Sequence, residues 1–133
     1  MSDPSAPLDA ALVKEFVTVG HGDFSKVKAL LDAQPRLLNA TWDWGNGDYE
    51  TPLGAAAHMG RRDIALFLLE RGARADVFAL AMLGYVEAVK AMITARPEIA
   101  RCAGPHGIPL IDHAEKGGAE AAAVVAYLRS LAS

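Results

Sequence analysis

The sequence lacks the features that several large classes of protein require. It contains a single cysteine, Cys102, so no disulfide can form within the chain and a small extracellular disulfide framework is excluded. Its net charge is −3 and it has no basic stripe, which argues against a nucleic-acid partner. No apolar run approaches the roughly 20 residues of a bilayer-spanning helix, and the first residues do not resemble a signal peptide. We therefore expect a cytoplasmic protein with no membrane partner.

Apolar side chains at helical spacing are what the sequence does contain. Of its 133 residues, 52% are hydrophobic and 22% are charged, which is typical of one globular domain. Sets such as Ile64, Phe67 and Leu68 show the spacing of three and four residues that marks the buried face of an amphipathic helix. Strand-like alternation is confined to one loop. The pattern predicts an all-α fold.

Similar helix pairs follow one another along the chain. A glycine ends the first helix of each pair, and these glycines are Gly22, Gly60, Gly84 and Gly117. After each of the first three, two adjacent apolar residues follow eight and nine positions later, as Leu30-Leu31 follow Gly22. A repeat of about 33 residues that contains a helical hairpin is typical of an α-solenoid.

The clearest repeat lies in the second pair. Thr51 to Gly60 read Thr-Pro-Leu-Gly-Ala-Ala-Ala-His-Met-Gly, and Leu68-Leu69 follow. This segment closely resembles an ankyrin repeat, with Gly54 and Arg61 where the family usually has histidine. The segments Trp-Asp-Trp-Gly and Gly-Pro-His-Gly-Ile-Pro-Leu resemble short bacterial ankyrin proteins. The physics agrees, because a threonine suits a helix N-cap and a proline suits the first helical turn.

The resemblance covers most of the chain and implies one domain of four units, at about residues 8–40, 41–75, 76–100 and 101–131. It implies an all-α solenoid of about four ankyrin-type helix pairs. The second unit starts with a long β-hairpin-like finger loop, residues 40–50, whereas the third unit lacks its finger. We expect a pocket where that finger is missing, between the 41–50 loop and the 102–108 loop.

The first of these loops, the first finger (residues 40–50), has the composition of a binding loop. Asn46-Gly47 is a strong two-residue turn signal. Trp42 and Trp44 are two residues apart on a strand, so we expect them on the same face, with Asp43 on the other. Two interpretations remain open: the tryptophans pack against the side of the stack, or they present a binding surface.

Partners of ankyrin proteins bind the concave surface formed by the finger loops and the first helices. The resemblance therefore implies a non-catalytic binding module for a protein segment or a small molecule. Methionine and aromatic side chains suit such a surface. The candidate binding residues are Trp42, Trp44, Asp48, Tyr49, Glu50, His58, Met59, Met82, Leu83 and His106. The acids Asp48 and Glu50 would orient a cationic or hydrogen-bonding partner.

The alternative is a small enzyme that performs general acid–base chemistry in the predicted pocket. His58 would be the base, with Asp43 or Asp48 as its orienting carboxylate. His106 or His113 would be the second proton carrier, although a histidine at position 113 also fits a packed core. No nucleophile motif, phosphate loop or cofactor fingerprint occurs, so we expect no cofactor.

The histidines do not predict a metal site. His21, His58, His106 and His113 are far apart in the sequence and lack the close pairing of structural zinc ligands. The apolar residues on the concave surface are compatible with a monomer or a weak homodimer.

Overall fold

The computed structural model describes residues 5–132, which form a stack of helix pairs. The α-helices among these residues are α1 (Ala10–Val19), α2 (Phe24–Ala33), α3 (Pro52–His58), α4 (Arg62–Glu70), α5 (Val77–Leu83), α6 (Val86–Ala95), α7 (Leu110–Lys116) and α8 (Ala122–Leu131). Two short strands, β1 (Trp42–Asp43) and β2 (Tyr49–Glu50), lie between α2 and α3. The predicted all-α solenoid of four helix pairs with one β-hairpin finger is confirmed.

Local sequence determines how the second helix pair begins and ends. The Thr51 hydroxyl accepts a hydrogen bond of 2.9 Å from the Gly54 amide, and Pro52 occupies the first turn of α3. Gly72, just after α4, has a φ of +99°, which favours glycine because it has no Cβ. With Thr51 as its N-cap, α3 begins directly after β2.

The first finger is a short antiparallel hairpin. Trp42 pairs with Glu50 and Asp43 pairs with Tyr49. Asn46 and Gly47 at its tip both have positive φ, of 54° and 79°, as the turn signal predicts. The hairpin brings Glu50 to the base of the finger, at the start of α3.

A second projecting loop, the second finger (residues 102–109), precedes α7. A bridge between Ala103 and Pro109 closes it, and the Gly104 amide donates a 2.8 Å hydrogen bond to the Ile108 carbonyl. Between α4 and α5 the chain passes through residues 71–76 without a strand. A unit without a finger therefore lies between the two fingers.

Helix α5, in the unit without a finger, is buried on both sides because α3 and α7 pack against it. Met82 and Leu83 are only 1% and 2% exposed and belong to the hydrophobic core. The end of α7 approaches closely, since a Cβ at Gly117 would overlap the Met82 carbonyl oxygen. The prediction that Met82 and Leu83 supply exposed contact area is therefore wrong.

Within the described part of the chain, none of the helices is both long enough and apolar enough to cross a membrane.

Candidate functional site

Glu50 is the centre of the site. It is only 1% exposed, although its strand neighbour Tyr49 is 62% exposed, because successive side chains on a strand point to opposite faces. Burying an ionised carboxylate costs free energy unless other polar groups surround it. The environment of Glu50 is therefore the main structural feature to explain.

Four side chains surround the Glu50 carboxylate and, with it, form what we call the Glu50 cluster. The Trp44 Nε1–H donates a hydrogen bond of 2.9 Å to Oε1. The His21 Nε2 atom lies 3.1 Å from the same oxygen. The Nε2 atoms of His58 and His106 lie 2.9 Å and 3.3 Å from Oε2. Both oxygens of the carboxylate thus contact imidazole nitrogens.

Each histidine reaches Glu50 from a different unit. His21 follows α1, and its Nδ1 atom donates to the carbonyl oxygens of Val17 at 3.1 Å and Thr18 at 3.0 Å. His58 is the last residue of α3, so its ring lies at the concave end of that helix. His106 comes from the second finger, 56 residues beyond Glu50 in the sequence. Tertiary packing alone brings these rings together.

Asp48 holds the second finger against the first. Its carboxylate accepts hydrogen bonds of 2.7 Å from both the backbone amide and the Nδ1–H of His106. The hydrogen bond from the His106 backbone amide, followed by the one from its ring, lowers the pKa of the Asp48 carboxyl and keeps it ionised. His106 adopts a φ of 62°, and these two bonds favour that unusual turn.

The electrostatics of the cluster favour an ionised carboxylate. Burial raises the pKa of Glu50, but the bond with His21, the His58 imidazole, the charge on His21 and the Trp44 N–H together lower it well below its ordinary value. The contact with Glu50 raises the pKa of His21 above 6.5, although burial opposes this effect. Glu50 therefore stays ionised, and its contact with His21 favours the protonated form of that ring.

His113 lies apart from the cluster. It is buried in α7, its Nδ1 donates to the Pro109 carbonyl at 2.9 Å, and its ring lies against Phe78 with centroids 4.8 Å apart. Burial lowers the pKa of His113 below 6.5. Its surroundings are those of a packed core histidine.

The remaining finger residues have different environments. Trp42 is half-buried, with the Lys14 ammonium 5.9 Å from its ring centroid. Tyr49 and Met59 are exposed, Met59 by 48%. Asp43 is also exposed, and its carboxylate accepts a 2.8 Å hydrogen bond from the Gly45 amide within the turn.

The predicted acid–base pairing of His58 with Asp43 or Asp48 is wrong. His58 contacts Glu50 rather than Asp43 or Asp48, and Asp48 pairs with His106 instead. The sequence also predicts that Glu50 orients a partner on the concave surface. That prediction is wrong, because the Glu50 side chain is buried beneath the histidines.

An open groove of about 520 Å³ runs along the surface beside His58. The other side chains that line it are Ile108 of the second finger and Asp112, Glu115 and Lys116 of α7. The groove thus spans from α3 to α7, where the unit without a finger leaves the surface uncovered. The expected pocket between the 41–50 and 102–108 loops differs from this groove, because only the second finger lines it, through Ile108, while Asp48 and His106 join the two loops directly.

A match to a known protein family covers the end of the first finger, α3, α4 and most of α5. The family model for the ankyrin repeat matches residues 48–81. Residues 48–81 are an ankyrin repeat. Searches of curated proteins and of solved structures gave no match. Ankyrin repeats generally act as protein–protein interaction modules.

The ankyrin repeat departs from its family pattern at Gly54 for a structural reason. A Cβ at this position would lie 3.5 Å from Pro105 of the second finger and 3.6 Å from the Glu50 side chain. An alanine would fit there, but the histidine usual in the family would occupy the space taken by these two residues. Gly54 therefore allows the second finger to close over Glu50.

Sequence reasoning did not select His21 as a site residue. The available signal was its approximate position, because His21 lies one residue before Gly22 and His58 two residues before Gly60, both close to the end of a first helix. In an ankyrin-type stack, equivalent positions in neighbouring units are adjacent in space.

Proposed function

We propose that the protein is a non-catalytic interaction module that binds a short protein segment in the groove lined by His58 of α3, Ile108 of the second finger and α7. The supporting observation is the position of the groove. It exposes residues of both α3 and α7, because the unit between these helices has no finger to cover them. The interaction role common to ankyrin repeats agrees with this proposal.

The lining of the groove suggests which segment would fit. Ile108 offers apolar contact, while Asp112 and Glu115 offer negative charge beside the single cation Lys116. Opposite charges across an interface give specificity. We therefore expect a segment that places an apolar side chain next to a lysine or arginine. Exposed Met59 would extend the contact, because methionine adapts to different partners.

The test selects short peptides from a displayed random library against the purified protein and measures their affinities. We expect Asp112→Lys to weaken the selected peptides by about 10-fold or more, because it reverses a charge in the groove. Glu87→Lys is the matched control, since Glu87 is also an acid in the first turn of a helix but does not line the groove.

Equal loss of affinity in both variants would contradict the proposed site. NMR amide chemical-shift changes that map away from the groove when a selected peptide is added would also contradict it. A small molecule that copurifies with the wild-type protein and is lost in Asp112→Lys would instead favour a ligand-binding module.

A further inference from the structure

The Glu50 cluster brings together four potential metal ligands. One ligand atom from each of His21, Glu50, His58 and His106 lies within 4.8 Å of all the others. The cluster lies behind the groove and shares only His58 with it. An inference about its chemistry is therefore independent of the proposed peptide binding.

The spacing between nitrogen and oxygen atoms suits ligands of one ion. Two ligands that each lie about 2.0–2.1 Å from zinc are about 2.9 Å apart at a right angle and about 3.4 Å apart at the tetrahedral angle. The three contacts between histidine nitrogens and Glu50 oxygens measure 2.9, 3.1 and 3.3 Å. The four ligand atoms lie within 4.8 Å of one another, so the most widely separated pair would approach by up to about 1.4 Å to surround a common centre.

Hydrogen bonding leaves part of the cluster unsatisfied. The buried atoms Glu50 Oε2 and His58 Nε2 lie 2.9 Å apart, but neither makes a hydrogen bond of acceptable geometry with any described residue. A buried polar atom without a partner costs free energy. A cation between these atoms would satisfy both, which a purely structural ion pair of this geometry does not.

The outer contacts prepare the nitrogens for metal binding. The Nδ1 atom of His21 donates to backbone carbonyls, and that of His106 donates to Asp48. A proton on Nδ1 leaves the Nε2 lone pair directed at the cluster in the neutral ring. Carbonyl and carboxylate partners of this kind orient the ligand histidines of zinc sites. The Trp44 N–H similarly orients the Glu50 carboxylate.

The donor set indicates the class of metal. Three imidazoles and one carboxylate suit zinc and other divalent first-row metals rather than magnesium or calcium, which prefer oxygen ligands. Four protein ligands complete a tetrahedral shell, as in structural zinc sites. The His106 side chain is one-third exposed, which provides access from solvent.

We propose that His21, Glu50, His58 and His106 bind one divalent transition-metal ion of the zinc class. The ion joins three parts of the solenoid, because its ligands come from the end of α1, the first finger with α3, and the second finger. It would fix the second finger against the first and thus hold one side of the groove in place.

The test measures zinc binding by the protein after dialysis against a chelator. Calorimetry and native mass spectrometry should show one Zn²⁺ per chain. His106→Asn should weaken binding by about 100-fold or more, because it removes one ligand. Asparagine tolerates the positive φ at this position, so the turn is retained. Asp48→Asn should weaken binding by about 10-fold, since it removes an orienting partner rather than a ligand.

Asp43→Asn is the matched control, because it makes the same chemical change on the same finger outside the cluster. Its zinc affinity should equal that of the wild type. Co²⁺ substitution provides a second readout, and the visible absorption of tetrahedral cobalt should appear in the wild type and disappear in His106→Asn. Failure of the wild type to bind Zn²⁺ stoichiometrically would overturn the proposal. Equal zinc affinity in His106→Asn and Asp43→Asn would do the same.

Discussion

Glu50 and His113 are both buried ionisable side chains, but their surroundings differ. Glu50 lies among three histidines and a tryptophan N–H, whereas His113 lies against the ring of Phe78 and donates from Nδ1 to the Pro109 carbonyl. The pKa of His21, beside Glu50, is raised, while burial lowers that of His113. A neighbouring carboxylate thus reverses the effect that burial alone has on a histidine.

The largest effect is expected from removing the carboxylate. In metal-free protein, Glu50→Leu should lower the free energy of unfolding by about 3–5 kcal/mol, because His21, His58 and the Trp44 N–H lose their shared partner. Urea unfolding measures this change. Glu87→Leu, the same substitution at an exposed glutamate, should change stability by less than about 0.5 kcal/mol. Similar values for the two variants would show that the Glu50 cluster contributes little to stability.

An intermediate loss of stability is expected from a substitution at Gly104, which lies between the Glu50 cluster and His113. Gly104 begins the turn that carries His106, and a Cβ there would lie 3.1 Å from His113 and 3.2 Å from Phe78. Gly104→Ala should therefore cost about 1–2 kcal/mol, because the packed rings must shift. It should also speed amide hydrogen exchange in residues 102–108.

Gly22→Ala is the control for this change. The Cβ at position 22 would lie 3.2 Å from the end of the long Arg61 side chain, which can shift more easily than two packed rings, so stability should change little. A Gly104→Ala variant with normal stability and normal exchange would mean that the second finger is not held by this contact.

A smaller effect is expected from replacing His113. His113→Leu should change the free energy of unfolding by less than about 1 kcal/mol, because the histidine leaves a buried nitrogen unpartnered and leucine does not. The Pro109 carbonyl loses the His113 ring as a donor but still accepts a hydrogen bond of 3.1 Å from the Asp112 amide. Thermal unfolding provides the measurement, and a loss comparable to that of Glu50→Leu would end the contrast between the two sites.

The smallest change in the free energy of unfolding is expected from a change of pH. His21 and His113 affect stability on opposite sides of pH 6.5. The raised pKa of His21 contributes stability below 6.5 that is lost as pH rises through the folded pKa. The lowered pKa of His113 causes stability to fall as pH drops below 6.5 toward its folded pKa. Together they produce an optimum near 6.5. The lowered pKa of Glu50 adds a loss only below about 4.5.

Ring NMR titrations of metal-free protein measure the two histidines separately. His21 should titrate above 6.5 and His113 below it. In Glu50→Gln the titration of His21 should move down while that of His113 stays unchanged. A downward shift of both would show that their pKa values do not depend on separate environments.

Local signals in the sequence predicted local structure well. The Asn46-Gly47 turn, the Thr51 cap and the positive φ of Gly72 depend on residues within one or two turns of the chain. The missing third finger was also predictable, because the segment between α4 and α5 is too short for a hairpin. By contrast, the burial of Met82 was missed, although α5 reads Val-Phe-Ala-Leu-Ala-Met-Leu and a helix that is apolar on every face is typically buried.

The sequence by itself determined the helix pairs and the ankyrin repeat, because apolar spacing, caps and turn residues act over short distances. Only the tertiary structure decided that Glu50 points inward and that His21, His58 and His106 meet around it. These residues come from three different units, and their distance along the chain is unrelated to their distance in space. Stacking of the units, with Gly54 leaving room for the second finger, creates the cluster.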